Sequence, residues 1–320
     1  MRAVRLTHFG RHLTVADVPD PVPGDDDVVV EVRAAGICHS DAHYRGGRGV
    51  VPHLPLTLGH EIAGVVVARG ANVREPSIGA RVAVHYLVSC GACDGCAHGE
   101  QFCRSGEMIG KDRDGGHAER VVIPARNAIA IPDRISDEQA AIMMCSTATA
   151  HHALKLANLQ AGESVAILGF GGLGVSALKL AKPNRVVVID NVPEKLDVAR
   201  TMGAETEMTN IDVAIDFAGS PALCTQALRA LNPGGRLILV ALNAKQIEFD
   251  PYRDVLAKER RIIGCSDHTR EELVELLSLD LDLSDAITRR IPFDADAINE
   301  VLDDLDRGTM HLRTVILHED

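Results

Sequence analysis

The stretch GICHSDAHYRG, residues 36–46, sets Cys38, His39, Ser40, Asp41 and His43 within six positions. A hydrophobic core tolerates such a set only when every polar group finds a partner. The types are those of chemistry: thiolate and imidazole ligate metals, and hydroxyl and imidazole move protons. Further along, CGACDGCAHGEQFC places Cys90, Cys93, Cys96 and Cys103 within fourteen residues. Thiolates separated by two residues can bend onto one ion, and four close a tetrahedron with no open position, so this spacing predicts a structural zinc site. Cys145 and His60, in LGHE, stand apart from both. A catalytic zinc needs three protein ligands and one open place, and Cys38, His60 and Cys145 would supply them if the fold brings them together. Taken singly, His60 reads as a satisfied core histidine and Cys145 as a small buried hydrophobe.

A third constellation lies in ESVAILGFGGLGVSALKLA. Gly169, Gly171 and Gly174 form G-x-G-x-x-G, with Gly172 beside them, between an apolar strand-like run and a helical one. Asp190 ends the next apolar run about twenty residues on. Glycines there allow a tight turn, close backbone approach to a pyrophosphate and close helix packing. The helix start offers free N–H groups and partial positive charge to phosphates. Asp190 can accept from both ribose hydroxyls and would repel a 2′-phosphate, which favours NAD over NADP.

These residues need elements to hold them. The first 130 residues read as β-rich, with DVVVEV, GVVVARG, ARVAVHYL and ERVVIP separated by Gly, Pro and Asp. IPDRISDEQAAIMMCSTATAHHALKLANL is helical, with Ser136 at the N-cap and acidic residues in the first turn. From 162 onward, apolar strands alternate with helices, the pattern of a parallel sheet covered on both faces. VPEKLDVARTMGA reads as a helix ended by Gly203, and the tail closes with the helix DADAINEVLDDLDRG and the strand LRTVIL. One place does not fit. TEMT, 206–209, would be a third strand, yet VAIDF begins at 213, too soon for a parallel crossover. Either 206–209 is no sheet strand, or the crossover helix has been lost.

The 320 residues suggest two domains, and 46 % hydrophobic with 24 % charged is ordinary globular composition. A net charge of −12 and the absence of Trp argue against nucleic-acid binding. No apolar run approaches a membrane span, and the first thirty residues carry no signal-peptide pattern, so the expectation is a cytoplasmic protein. In a reducing compartment the cysteine cluster reads as metal binding rather than disulfides. Cys224 reads as core packing, Cys265 as near a subunit contact, and the acidic groups Asp25–Asp27 and Asp303–Asp306 as solvated surface.

Over essentially its whole length the chain resembles the zinc-dependent medium-chain alcohol dehydrogenases. GHEIAGVVVARGANV, 59–73, fits the family signature G-H-E-x2-G-x5-G-x2-V at every fixed position, and the cysteine cluster, glycine motif and LRTVIL follow in the family's order. The resemblance implies a GroES-like β-rich catalytic domain, 1–148 with 267–320, and a Rossmann-type doubly wound cofactor domain, 149–266. It implies a catalytic zinc on Cys38, His60 and Cys145, and a structural zinc on the four clustered cysteines. Ser40 would bond the alcohol and His43 would pass its proton to solvent through the cofactor ribose. Asp41 would orient His60, and Glu61 would sit behind the metal. Thr149 would lie beside the nicotinamide, and His39, Lys195 and Arg313 would contact the cofactor. Tyr86 would form a wall of the substrate pocket.

The implied reaction is reversible NAD-dependent hydride transfer between a primary or secondary alcohol and its aldehyde or ketone. A polyol, threonine or formaldehyde dehydrogenase is the near alternative, although Cys145 leans against a polyol enzyme, which often has a carboxylate there. The intact ligand set disfavours a zinc-free enone or quinone reductase. A non-catalytic protein on the same scaffold would not need Ser40 and His43. The family commonly forms homodimers or homotetramers through the edge of the cofactor-domain sheet, and RLILVAL reads as an apolar edge strand that would need covering. Three departures stand out: a six-residue last gap in the cysteine cluster where the family usually has seven, the short region 204–212, and the short LAKPNRVV.

Overall fold

The computed structural model describes residues 1–181, 184–242, 245–308 and 312–318. The chain divides into two compact units, Met1–Cys145 with His268–Asp320, and Ser146–Asp267. Among the described residues no helix is long and apolar enough to cross a membrane.

The first unit is built on a seven-stranded sheet. Its path runs Ala128–Ala130, Arg81–Val84, Glu61–Arg69, Asp27–Ile37, Arg313–Leu317 and Ile287–Pro292, with Arg120–Pro124 pairing the first half of Asp27–Ile37. The long strand Asp27–Ile37 is β-branched and almost wholly buried, as a strand covered on both faces must be. Two register shifts against Glu61–Arg69 bend it. At its end Gly36 faces Glu61, and a methyl on Gly36 would overlap the Glu61 carboxylate. The short helix His39–Arg45 follows directly.

The tail returns to this unit as the helix Arg270–Ser278, the strand Ile287–Pro292, the helix Ala295–Arg307 and the strand Arg313–Leu317. Asp294 caps the third of these elements through the Asp296 and Ala297 N–H groups, and Gly308 ends it at φ 73°. The acidic group on this helix is not merely solvated surface. Asp303 and Asp306 pair with the buried Arg45 at 2.7 and 3.0 Å, because a buried arginine at the end of the helix His39–Arg45 must find its anions nearby. Asn299, also buried, accepts from Leu13 N and donates to Leu13 O, both at 2.9 Å. Asn299→Ala leaves that N–H and C=O unpaired in the core, and the expected loss is about 3 kcal/mol, read as an earlier urea midpoint at unchanged slope.

The second unit is a five-stranded parallel sheet in the order Arg185–Ile189, Ser164–Leu168, Ile211–Asp216, Leu231–Leu239, Arg261–Gly264. The third strand is absent. Glu205 alone bridges Val187, donating to Val186 O at 2.9 Å and accepting from Val188 N at 2.8 Å. No helix separates it from Ile211–Asp216, so the crossover has been lost along with the strand. The expectation that RLILVAL is an edge strand is corrected: Leu231–Leu239 lies inside the sheet, and the short Arg261–Gly264 is the edge beyond it. Those four residues are too few and too charged at the start to stand out in sequence. Cys224 is fully buried on the helix Pro221–Ala230, and Cys265 directly follows the edge strand, its N–H bonded to Leu239 O. Of the short LAKPNRVV segment, Lys182 and Pro183 lie outside the described residues.

Candidate metal centres and dinucleotide loop

Asp27–Ile37 ends by delivering Cys38 as the N-cap of His39–Arg45, in extended conformation (φ −107°, ψ 155°). Asp41 sits at the third helical position and closes a capping box, its Oδ2 accepting from Cys38 N at 2.9 Å. Its other oxygen accepts from Gly59 N at 3.4 Å and stands 3.6 Å from His60 Nδ1. One fully buried carboxylate thereby fixes two chain segments against each other. Gly59 (φ 93°) is obligatory, since a side chain there would strike the buried His117 ring.

His60 Nε2 lies 3.3 Å from Cys145 Sγ. Cys145 sits in a π-helical turn, Met143–Thr147, between the helices Asp137–Ile142 and Ala148–Ala157, the kind of local widening found at functional sites. Ser136 caps the first of these helices through Gln139 N. Ligand atoms of Cys38, His60, Glu61 and Cys145 all lie within 4.8 Å of one another, and all four residues are buried. Arg313 closes the cluster from behind, its guanidinium paired with Glu61 Oε2.

The electrostatics are those of a cation site. The Cys145 thiol, against the opposing pull of burial, holds Cys38 well below the usual thiol range, with His60 adding to the effect. The Cys145 thiol is pushed up by that same bond and by burial. Burial pulls His60 down, but Asp41 and Cys38 outweigh it and hold the imidazole well above its ordinary value. Burial lifts Glu61 to about 7 against the pull of Arg313. Glu61 Oε1, His60 Nδ1 and Ser40 Oγ are buried without a hydrogen-bond partner among the described residues. Two thiols and an imidazole converging on one point, with a carboxylate behind, suit a zinc ion that keeps an open position.

Ser40 and His43 occupy positions three apart on one helix, hence one face. Their neighbour His39 is exposed, its ring 4.6 Å from that of His43. Burial, then the charge of His39, keeps His43 below the ordinary histidine value, so it is neutral near pH 7 and able to accept a proton. Tyr86 is buried with its ring edge-on to His60 at 5.0 Å and to His268 at 5.2 Å.

The second cluster is exposed in part. Cys90, Cys93, Cys96 and Cys103 bring their sulfurs within 4.8 Å of one another. Cys93 Sγ stands 3.5 Å from Cys96 Sγ, and Cys103 Sγ 3.6 Å from Cys90 Sγ. Backbone N–H groups lower the Cys90, Cys93 and Cys103 thiols, while burial lifts Cys96 to about 11. The set matches a closed tetrahedral zinc site, and the shorter last gap is accommodated where Gly95 lies under the Phe102 carbonyl with no room for a side chain.

In the second unit Gly169 (φ 95°) leaves the strand Ser164–Leu168, and Gly171 caps the helix Gly172–Leu180. A methyl on Gly174 would overlap the Gly169 carbonyl, so the helix start packs directly on the turn. Asp190 accepts from Phe170 N at 2.7 Å and Val192 N at 2.9 Å, tying the loop to the end of Arg185–Ile189. Each oxygen keeps a lone pair for a further donor. Lys195 lies in the first turn of the helix Pro193–Thr201, and Thr149 is buried on Ala148–Ala157.

Three groups escaped the sequence reading. His117 lies under Gly59, His268 and His85 flank Tyr86, and Glu100, inside the cysteine loop, bonds four neighbours. None stands at a ligand spacing; only the adjacency of His85 to Tyr86 was a signal.

Residues 24–133 match the alcohol dehydrogenase GroES-like domain, and residues 169–280 match the zinc-binding dehydrogenase domain. An alcohol dehydrogenase of Geobacillus stearothermophilus is 33 % identical over 337 aligned residues, covering 99 % of both chains. An L-threonine 3-dehydrogenase of Burkholderia thailandensis is 34 % identical over 324, covering 92 % of this chain and 93 % of its own. Among solved structures, a zinc-binding dehydrogenase of Sinorhizobium meliloti bound to NADP superposes with a TM-score of 0.89 at 29 % identity, covering 99 % of this chain and 98 % of that one.

Proposed function

This chain belongs to the zinc-dependent medium-chain alcohol dehydrogenase family, and from that premise we propose that it oxidises a small alcohol reversibly to its aldehyde or ketone with NAD. The observation that carries the reading is the buried convergence of Cys38, His60 and Cys145, with the Ser40 hydroxyl two positions after Cys38 buried and without a partner among the described residues. Those three residues would hold a catalytic zinc, and Cys90, Cys93, Cys96 and Cys103 a structural one. When bound, the zinc supplies Lewis acidity toward the substrate oxygen and the nicotinamide supplies the hydride acceptor. Ser40 Oγ accepts the hydroxyl proton as its own O–H proton leaves, and His43, one turn along and half exposed, carries that proton toward solvent. Asp41 holds the Cys38 and His60 segments together while this happens, and Glu61 with Arg313 backs the ligands. Tyr86 walls the substrate side. Gly169, Gly171, Gly172 and Gly174 take the pyrophosphate, and Asp190 the adenosine ribose. His39, Lys195 and Arg313 add cofactor contacts, and Thr149 lies against the nicotinamide.

The ligand thiols must stay reduced, which suits the cytoplasm. Self-pairing into a homodimer or homotetramer is supported by the edge strand Arg261–Gly264, where Ile262 is exposed. A threonine-type substrate is the second reading, because the threonine 3-dehydrogenase relative is as similar as the alcohol dehydrogenase.

The test is nicotinamide absorbance with NAD or NADP against simple alcohols and L-threonine, with and without a zinc chelator. Chelator-sensitive NAD reduction is the expected result, and the faster substrate decides between the two readings. A zinc-replete sample inert toward every alcohol and carbonyl overturns the dehydrogenase reading. Asp190→Ala removes a charged acceptor worth about 1.5 kcal/mol, so the KM for NAD rises about tenfold and that for NADP falls. An unchanged NAD/NADP preference removes Asp190 from cofactor choice.

A further inference from the structure

Glu100 lies between the third and fourth cysteines of the exposed cluster, on the 3-10 turn Glu100–Phe102. Its carboxylate is bonded by four residues outside the cysteine set. One oxygen accepts from Arg126 at 2.7 Å and from Ser89 Oγ at 3.2 Å. The other accepts from Arg270 N at 2.9 Å and meets His85 Nε2 at 3.2 Å. Four partners on one carboxylate account for every lone-pair site it has.

Two of those partners lead to Tyr86. The backbone at His85 is fixed separately, since Asn127 O accepts from His85 N at 2.8 Å and Asn127 Nδ2 donates to His85 O at 2.7 Å. The His85 ring direction is therefore what Glu100 decides. Arg270 N is the first N–H of the helix Arg270–Ser278, two residues past His268. The His85 and His268 rings pack 5.4 Å apart, and Tyr86 stands edge-on to His268 and to His60. A continuous chain of contacts thus runs from the half-buried Glu100 of the cysteine loop through the buried His85, His268 and Tyr86 to His60, a ligand candidate of the other cluster. Glu100 remains ionised throughout, its pKa pulled down to about 2 chiefly by His85.

We propose that Glu100 is a positioning residue: carried by the four-cysteine loop, it sets His85 and His268 and through them holds Tyr86 against His60. The cysteine lobe then shapes the substrate pocket as well as stabilising the fold. The proposal rests on the reading of Tyr86 as a pocket wall.

The chain has no Trp and three tyrosines, Tyr44, Tyr86 and Tyr252, so a Tyr44→Phe, Tyr252→Phe background reports Tyr86 by its own emission. In that background Glu100→Ala is expected to raise acrylamide quenching of Tyr86 while zinc content stays unchanged. The alcohol KM rises about tenfold, since small misplacements near a site cost up to about 100-fold, with kcat and the KM for NAD nearly constant. Glu100→Gln, which keeps the shape and one acceptor, recovers part of both effects. Asp94→Ala, which cuts only the exposed Asp94–Arg104 pair of the same loop, changes neither. Unchanged quenching in Glu100→Ala, or a KM shift matched by Asp94→Ala or by zinc loss, overturns the proposal. Should Glu100→Ala fail to fold, Glu100→Gln carries the same comparison. Absence of turnover in the parent protein would sink the dehydrogenase reading alone, and Tyr86 quenching would still decide this one.

Discussion

Cys145→Ser is expected to lower kcat/KM by about three orders of magnitude, the worth of several kcal/mol of Lewis-acid stabilisation. It removes one zinc ion per chain and leaves the cysteine-cluster ion in place. The serine is close to isosteric, so the π-helical turn Met143–Thr147 and its buried surroundings survive, and the urea midpoint shifts little. What is lost is a soft thiolate, which leaves Cys38, His60 and the hard carboxylate of Glu61 in the set. Chelation followed by zinc restores the parent protein and leaves the variant inactive. Atomic-absorption zinc counts and initial rates on the same samples make the check. Full zinc content with full rate in Cys145→Ser would mean that the reacting ion binds elsewhere.

The second large effect is expected at Gly174. A methyl there overlaps the Gly169 carbonyl and presses on Ile167 Cγ2 at 3.3 Å. Backbone lies on both sides of the overlap, so the helix Gly172–Leu180 has to move off the strand Ser164–Leu168. Gly174→Ala is expected to cost about 2 kcal/mol of stability and to weaken NADH binding about 100-fold. Gly171 provides the contrast. Its φ is −106° and no atom lies within 4 Å of an added methyl. Gly171→Ala leaves the melting temperature alone and affects only the approach of the cofactor. Thermal melts with NADH fluorescence titrations separate the two. Native stability and affinity in Gly174→Ala would show that the turn has slack enough to admit a side chain.

The contrast between these positions also explains what could be read from sequence. Ligand type and spacing identify the four-cysteine cluster, because the ion must be held within one short loop whatever the rest does. The glycine motif is legible for the same reason: its constraints act over six residues and the strand on either side. Ser136 as an N-cap and the alternation of strands and helices after 162 follow from local physics as well.

What could not be read is tertiary. Asp41 binds the Cys38 amide, which a capping pattern suggests, but its grip on Gly59 depends on how two strands meet. Glu100 looks like any loop carboxylate until His85, Ser89, Arg126 and Arg270 arrive from four separate segments. Asp303 and Asp306 read as solvated charge because the arginine they serve lies more than 250 positions away. The edge of the parallel sheet was misplaced since Arg261–Gly264 is short and polar at its start. At the other side, one residue, Glu205, performs the backbone bonding that a whole strand would have provided, and no periodic pattern announces a single residue.

The π-helical turn at Cys145 carries a consequence for how this chain tolerates change in length. Such a turn holds one residue more than the α-helical turn it replaces. Deleting one residue from Met143–Thr147 would relax the run from Asp137 to Ala157 into continuous α-helix, without a break in hydrogen bonding. Side chains before and after the turn would keep nearly their present directions, and those inside it would shift around the helix by up to about 100°. Deletion of Met143 or Met144 would swing the thiol out of line with Cys38 and His60, yet leave a helix that is better formed than before. A single lost codon there would yield a protein more regular in its backbone and empty at its centre.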